Sequence, residues 1–208
     1  MEVASLVDRL LPGPGSVLDR ASSASQAALR SAAETPAGRP VTALLHGNRW
    51  LGHPLHPVVI ALPVGAWSLC GWHDLRAALS GRDHHDLAAD AALRVGVAGA
   101  VVAATTGLAQ YLDTRDAARR ETAVHAALNN VALTLYLGSW AARSSGQRSL
   151  GRRLAAAGLG IVGVSGYLGG DLAFRHGVGV RPQALRDPER SAPESGDEPI
   201  DTSDAHHS

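Results

Sequence analysis

The sequence predicts an all-α fold: an integral membrane four-helix up-down bundle with an N-terminal helical arm and a disordered C-terminal tail. Four apolar runs lie between residues 51 and 180, each of roughly 19 to 21 residues, close to the ~20 needed to cross a hydrocarbon core. Short polar loops separate them, which makes consecutive helices antiparallel. None of the four carries the charged outer face that a soluble helical bundle requires. The chain divides accordingly into an arm at 1–50, the bundle at 51–180 and a polar tail at 181–208.

Composition agrees with that division. Mean hydropathy is near zero only because two polar ends offset an apolar middle. Lys+Arg and Asp+Glu balance at 19 each, so no nucleic-acid partner is expected and the lipid bilayer is the partner the composition implies. The single cysteine, Cys70, excludes an internal disulfide or a Cys-ligated cluster built by this chain alone. The opening Met1-Glu2-Val3 lacks the basic start of a signal peptide.

In chain order, Val3, Leu6, Val7, Leu10 and Leu11 recur at helical spacing until the breaker Pro12-Gly13-Pro14-Gly15. An Ala/Ser-rich helix follows over Ser16 to Glu34, and the arm either lies on the membrane surface, covers the bundle or stays solvated. Next comes Gly52-His53-Pro54-Leu55-His56-Pro57. Proline at a helix start loses no hydrogen bond, so Pro54 and Pro57 read as a rigid entry that holds His53 and His56 at the membrane surface. The first span runs from Pro54 to Trp72, with Pro63 inside it as a kink. The second covers Leu93 to Leu112, where Asp90 and Arg94, four apart, are expected to neutralise each other. The third covers Thr122 to Ala142 and holds His125, Asn129 and Asn130. The fourth covers Leu154 to Phe174, where Gly158, Gly160, Gly163, Gly166, Gly169 and Gly170 are expected to let a neighbouring helix approach closely.

Four alternating spans bring their polar residues to one side. There stand His53 and His56, Thr106, Gln110, Asp113 and Arg115, His125 with Asn129, and Asp171 with His176. Polar groups at membrane depth usually face the bundle interior and usually have a function. The opposite end offers His73 and loop histidines, for which no partner on the other helices is expected. Arginine placement near the spans tips both termini towards the cytoplasm, so the location expected is the bacterial cytoplasmic membrane.

Leu51 to Trp67, Thr106-Gly107 to Asp113, His125-Ala126-Ala127-Leu128-Asn129, and Gly166 to Asp171 through Arg175-His176-Gly177-Val178-Gly179-Val180 resemble the bacterial membrane family called domain of unknown function 2231, over about residues 45–180. Some relatives continue into a Rieske iron–sulfur domain, so the resemblance implies a setting in membrane electron transfer, with a Rieske-type or other redox protein as partner. In this chain a polar tail stands where that domain would follow.

Three functions compete. A b-type haem needs two imidazoles from different helices: His56 and His125 are the pair, with His176 or His53 as substitutes. Asp113, Asp171 and Asn129 would then orient them, and Arg115 or Arg175 would meet the propionates. A mononuclear transition-metal site would use His53, His56, His125 or His176 with Asp171. The third function is a scaffold or anchor that docks a redox partner. A scaffold or electron-transfer subunit ranks ahead of an enzyme with its own substrate.

Overall fold

The computed structural model describes Val7 and residues 10–180. Every regular element among the described residues is helical. The expected tail and most of the expected helix over Val3–Leu11 lie outside them.

The arm is ordered. Helix α1, Val17–Ala33, starts where the Ser16 hydroxyl accepts from the Asp19 N–H, the usual way to satisfy a donor in the first turn. Helix α2, Gly38–His46, stops at Gly47 with φ 81°. The entry to the bundle differs in detail from the expectation: α3, His56–Val59, begins at His56, and Pro57 rather than Pro54 occupies its first turn. The helix breaks at Ile60 and resumes as α4, Ala61–Ser80. Pro63 explains the break, because it has no N–H for the Val59 carbonyl and its ring crowds that turn.

Helix α5, Asp83–Tyr111, begins ten residues before the expected Leu93. Asp83 and Asp86 stand in its first turn, where carboxylates complement the helix dipole. Helix α6 is Asp116–Ser144 and α7 is Arg148–Phe174. His56–Ser80, Asp83–Tyr111 and Arg148–Phe174 are each long and apolar enough to cross a membrane.

The long helices pack as two antiparallel hairpins, α4–α5 and α6–α7, and the hairpins repeat each other. The residues buried on α7 are Gly151, Ala155, Gly158, Ser165, Leu168 and Leu172. Each lies 62 positions after a residue buried on α5: Ala89, Leu93, Gly96, Ala103, Thr106 and Gln110. Likewise Ala132, Tyr136, Ser139 and Arg143, buried on α6, lie 69 positions after Pro63, Trp67, Cys70 and Asp74, buried on α4.

Equivalent residues meet where the hairpins face each other. The Trp67 and Tyr136 rings stack with centroids 4.0 Å apart and planes 6° from parallel. Each ring lies against a glycine of its own hairpin: a Cβ on Gly96 would stand 2.2 Å from Trp67, and one on Gly158 would stand 2.9 Å from Tyr136. The expectation for the fourth span is corrected here. Gly158 and Gly169 admit close neighbours, whereas a Cβ on Gly160, Gly163, Gly166 or Gly170 would meet nothing within 4 Å.

The charged residues repeat with inverted sign. Asp74, Asp86 and Asp90 of the first hairpin correspond by the same offsets to Arg143, Arg148 and Arg152 of the second. These six form one ion cluster at the end away from the arm. The Arg143 side chain, 3% exposed, grips Asp74 with both terminal nitrogens and reaches Asp90 at 3.1 Å. Arg148 holds Asp90 at 2.7 Å and Asp86 at 3.2 Å, and Arg152 holds Asp86 at 2.7 Å. His73 Nδ1 lies 3.1 Å from His85 Nδ1 of α5, so the expectation that the histidines at this end lack a partner on another helix is overturned. So is the Asp90–Arg94 pairing, because Asp90 turns to the arginines of the other hairpin.

Removing one partner from a buried charge pair leaves the other charge unpaired, a loss of about 3–5 kcal/mol. Arg143→Ala and Asp74→Ala should each lose stability of that order in denaturation of the detergent-solubilised protein. Because the two positions are equivalent, the exchange Asp74→Arg with Arg143→Asp should recover most of it. An exchange variant no more stable than the two single charge reversals would contradict the equivalence. Among the glycines, Gly158→Leu should disrupt packing by driving a side chain into Tyr136, whereas Gly163→Leu should melt like the wild type.

Candidate functional site

At the arm end the repeat places two histidines, His56 and His125, in equivalent positions with matching surroundings. His56 Nδ1 lies 2.9 Å from the Ala103 carbonyl and 3.1 Å from Thr106 Oγ1 on α5. His125 Nδ1 lies 2.9 Å from the Ser165 carbonyl and 3.0 Å from Ser165 Oγ on α7. Ala103 and Ser165 are themselves equivalent positions. Each ring covers a glycine of its partner helix. A Cβ on Gly107 would approach His56 to 3.1 Å, and one on Gly169 would approach His125 to 3.2 Å. A larger residue at either position would push the ring away from its carbonyl.

This geometry selects a tautomer. A carbonyl oxygen only accepts, so Nδ1 of a neutral ring carries the proton and Nε2 keeps the lone pair. At His125 that lone pair accepts from Asn129 Nδ2 at 2.9 Å. His56 Nε2 makes no hydrogen bond among the described residues.

The other expected site residues are distributed differently. Asn129 touches His125, as read from their spacing. Asp113 sits 3.6 Å from His46 of α2, so its partner comes from the arm. Arg115 is the N-cap residue of α6. His53 is exposed, its Nδ1 beside the carbonyl of its neighbour Pro54. Asp171 and His176 come together with a residue not anticipated, Glu121. His176 Nε2 lies 3.1 Å from Glu121 Oε2, and Arg175 bonds Asp171 at 2.7 Å and Glu121 at 3.4 Å. Among the described residues, Glu121, Asp171 and His176 are the group whose ligating atoms cluster. His53, His56 and His125 stand outside it. Glu121 precedes the expected start of the third span by one residue and reads as an ordinary interfacial charge. Only its burial, at 1% exposure, marks it.

Two further elements close this end. The segment after α7 returns over the bundle through Gly177 and Gly179, with φ 68° and 75°. A Cβ on Gly179 would stand 2.8 Å from Gln110 and 3.3 Å from Pro57, so only glycine allows this approach. The arm caps α5. Gln26 Nε2 donates to the carbonyls of Tyr111 at 2.6 Å and Thr114 at 2.9 Å, and Arg30 donates to that of Leu112 at 2.7 Å. The last carbonyls of a helix have no intrahelical donor, and α1 supplies it. The Tyr111 hydroxyl returns a bond to the Ser22 carbonyl at 2.6 Å.

A family model described as a predicted membrane protein, DUF2231, matches residues 52–182. The chain belongs to this family. No curated protein and no solved structure matches it. The matched region of this DUF2231 protein contains both histidines, Glu121 and the returning Gly-Val-Gly-Val segment, while the arm that caps α5 precedes it.

The arm is tied down at its start by Asp19, which bonds Arg119 at 3.0 Å and Arg120 at 3.2 Å on α6. The Gly15 N–H and then these two guanidinium groups hold the Asp19 carboxyl below the usual carboxylate range. A depressed folded-state pKa contributes stability that is present above the unfolded value and lost as pH falls through the folded one. Docking of α1 should therefore be strongest above the ordinary carboxylate range and loosen progressively as pH falls through that range towards the depressed folded-state value. Hydrogen exchange of 17–33 across that range checks this. Asp19→Asn should loosen the arm and flatten the pH dependence; exchange that is unchanged in the variant at every pH would refute it.

Proposed function

We propose that the protein is a four-span subunit of the bacterial cytoplasmic membrane, with both termini cytoplasmic, that serves electron transfer as a haem-binding scaffold. In this reading His56 and His125 would hold one b-type haem. The observation that carries it is the matched pair of Nδ1–carbonyl tethers. Histidines that ligate a metal through Nε2 commonly donate the other ring N–H to a carbonyl, which fixes the ring and raises its basicity. Two such rings, from equivalent positions of two hairpins, suit a haem that takes one imidazole from each of two helices. Haem bound there would supply a one-electron couple, and Asn129 would have to release His125 Nε2, from which it now stands 2.9 Å. The chain's own part is to hold the imidazoles as neutral donors, through Ala103, Thr106 and Ser165, and to seal the end with the arm.

Connectivity supports the fourth span. Helix α7 begins beside the start of α5, where Arg148 meets Asp86 and Asp90. The end of α5 lies at the opposite, arm end. If α5 and α7 both cross, the intervening chain must cross too, and α6 is the only helix between them. Its stretch 122–142 carries no charged residue. A Rieske-type or other redox protein fits as the partner on the arm side.

An optical spectrum of protein purified from its native membrane tests the reading. A Soret band and reduced-state bands of a low-spin bis-imidazole haem are expected. His56→Ala and His125→Ala should each abolish them while the helices remain inserted, and His53→Ala should leave them unchanged. Protein that is colourless and haem-free, or a spectrum indifferent to both substitutions, would overturn the haem assignment and leave the scaffold role. Reporter fusions at the C-terminus and at 145–147 should report opposite compartments.

A further inference from the structure

We propose that Glu121, Asp171 and His176 form a second site, separate from the paired histidines, that binds one divalent first-row transition ion. One ligating atom from each residue lies within 4.8 Å of the other two. Atoms that share an ion at about 2.0–2.2 Å each stand no more than roughly 4.4 Å apart. Small side-chain rotations close that difference.

Glu121 is the ligand that the surrounding structure marks most clearly. It is 1% exposed, and its Oε1 is buried without a hydrogen-bond partner. A buried carboxylate oxygen with no donor carries its full desolvation cost. Oε2, by contrast, is held by Arg175 and lies 3.1 Å from His176 Nε2, a contact that an ion bound through that nitrogen would replace. The carboxylate is anchored through one oxygen and offers the other. Arg175 also holds Asp171 Oδ2 through Nε at 2.8 Å, so one guanidinium orients both acids from outside, as outer partners do around bound metals.

The repeat supplies an independent argument. By the offsets that align the hairpins, Glu121, Asp171 and His176 correspond to Gly52, Ala109 and Thr114. The first half carries no acid or histidine at these three positions: Ala109 and Thr114 are buried and Gly52 is exposed. Packing of the fold therefore does not call for the cluster. One imidazole and two carboxylates form a borderline-to-hard ligand set, which suits Zn²⁺, Mn²⁺, Fe²⁺ or Co²⁺ and disfavours the soft Cu(I). Asp171 and His176 are only partly buried, so water can complete the coordination.

Cobalt(II) titration of the full-length protein in detergent is the test. Saturation near one ion per chain is expected, with visible d–d bands and a raised unfolding temperature, since an ligand that binds only the folded state stabilises it. Glu121→Gln and His176→Ala should each weaken binding by roughly tenfold or more. His176 is partly exposed, so that variant keeps its fold if Glu121→Gln does not; circular dichroism monitors both. His56→Ala should bind cobalt like the wild type, which separates this site from the haem reading. Absence of cobalt binding, or binding that survives His176→Ala in folded protein, would overturn the proposal. So would binding lost equally in His56→Ala.

Discussion

Arg143 is the residue on which the arrangement of the two hairpins most depends. A guanidinium this deeply buried is tolerable only when its donors are matched, and it is matched from both sides of the molecule. Ser139 on its own helix takes Nε at 3.1 Å, while Asp74 and Asp90 of the first hairpin take the terminal nitrogens. A bidentate Arg–carboxylate contact fixes direction as well as distance. A slip of one helical turn would leave the charge unpaired in a low-dielectric setting, at a cost comparable to a large part of a domain's net stability. The cluster thus sets the register between hairpins more than it adds attraction.

Register at that end determines what happens at the other. The helices are stiff, so fixing Asp74 against Arg143 and stacking Trp67 on Tyr136 also fixes His56 and His125 at matching heights along the bundle. The glycines complete the arrangement. Gly96 and Gly158 admit the stacked rings, and Gly107 and Gly169 admit the imidazoles. Sign inversion at the charged positions gives the repeat its asymmetry: an acidic hairpin matches a basic one, whereas two acidic or two basic hairpins would repel across the same contact. The same device sets partner choice in paired helices generally.

Where the halves stop matching, the molecule becomes particular. The arm caps α5 by donating side-chain N–H groups to its last carbonyls, and Glu121, Asp171 and His176 gather on the second hairpin alone. Both departures lie at the arm end. The opposite end keeps the matched charge pattern, and with it a structural role.

Much of this was legible in the sequence, because lipid imposes a simple code: a segment of about 20 apolar residues must satisfy its backbone internally. The presence of three long apolar helices follows from that code, and helical spacing gave the contact between His125 and Asn129, one turn apart. The assignments that required the tertiary structure all concern the choice among partners distant in sequence. Asp90 has Arg94 one turn away, yet it bonds Arg143 and Arg148, because those guanidinium groups reach it from the facing hairpin. Gly158 and Gly163 look alike in a glycine-rich run, but only Gly158 faces Tyr136. Glu121 looks like an interfacial charge until the end of α7 folds over it, and Gln26 looks solvated until it meets the end of α5. Local spacing determines which residues share a helix face. Which face meets which is settled by burial and by the pairing of charges too costly to leave alone, and those exist only once the helices have packed.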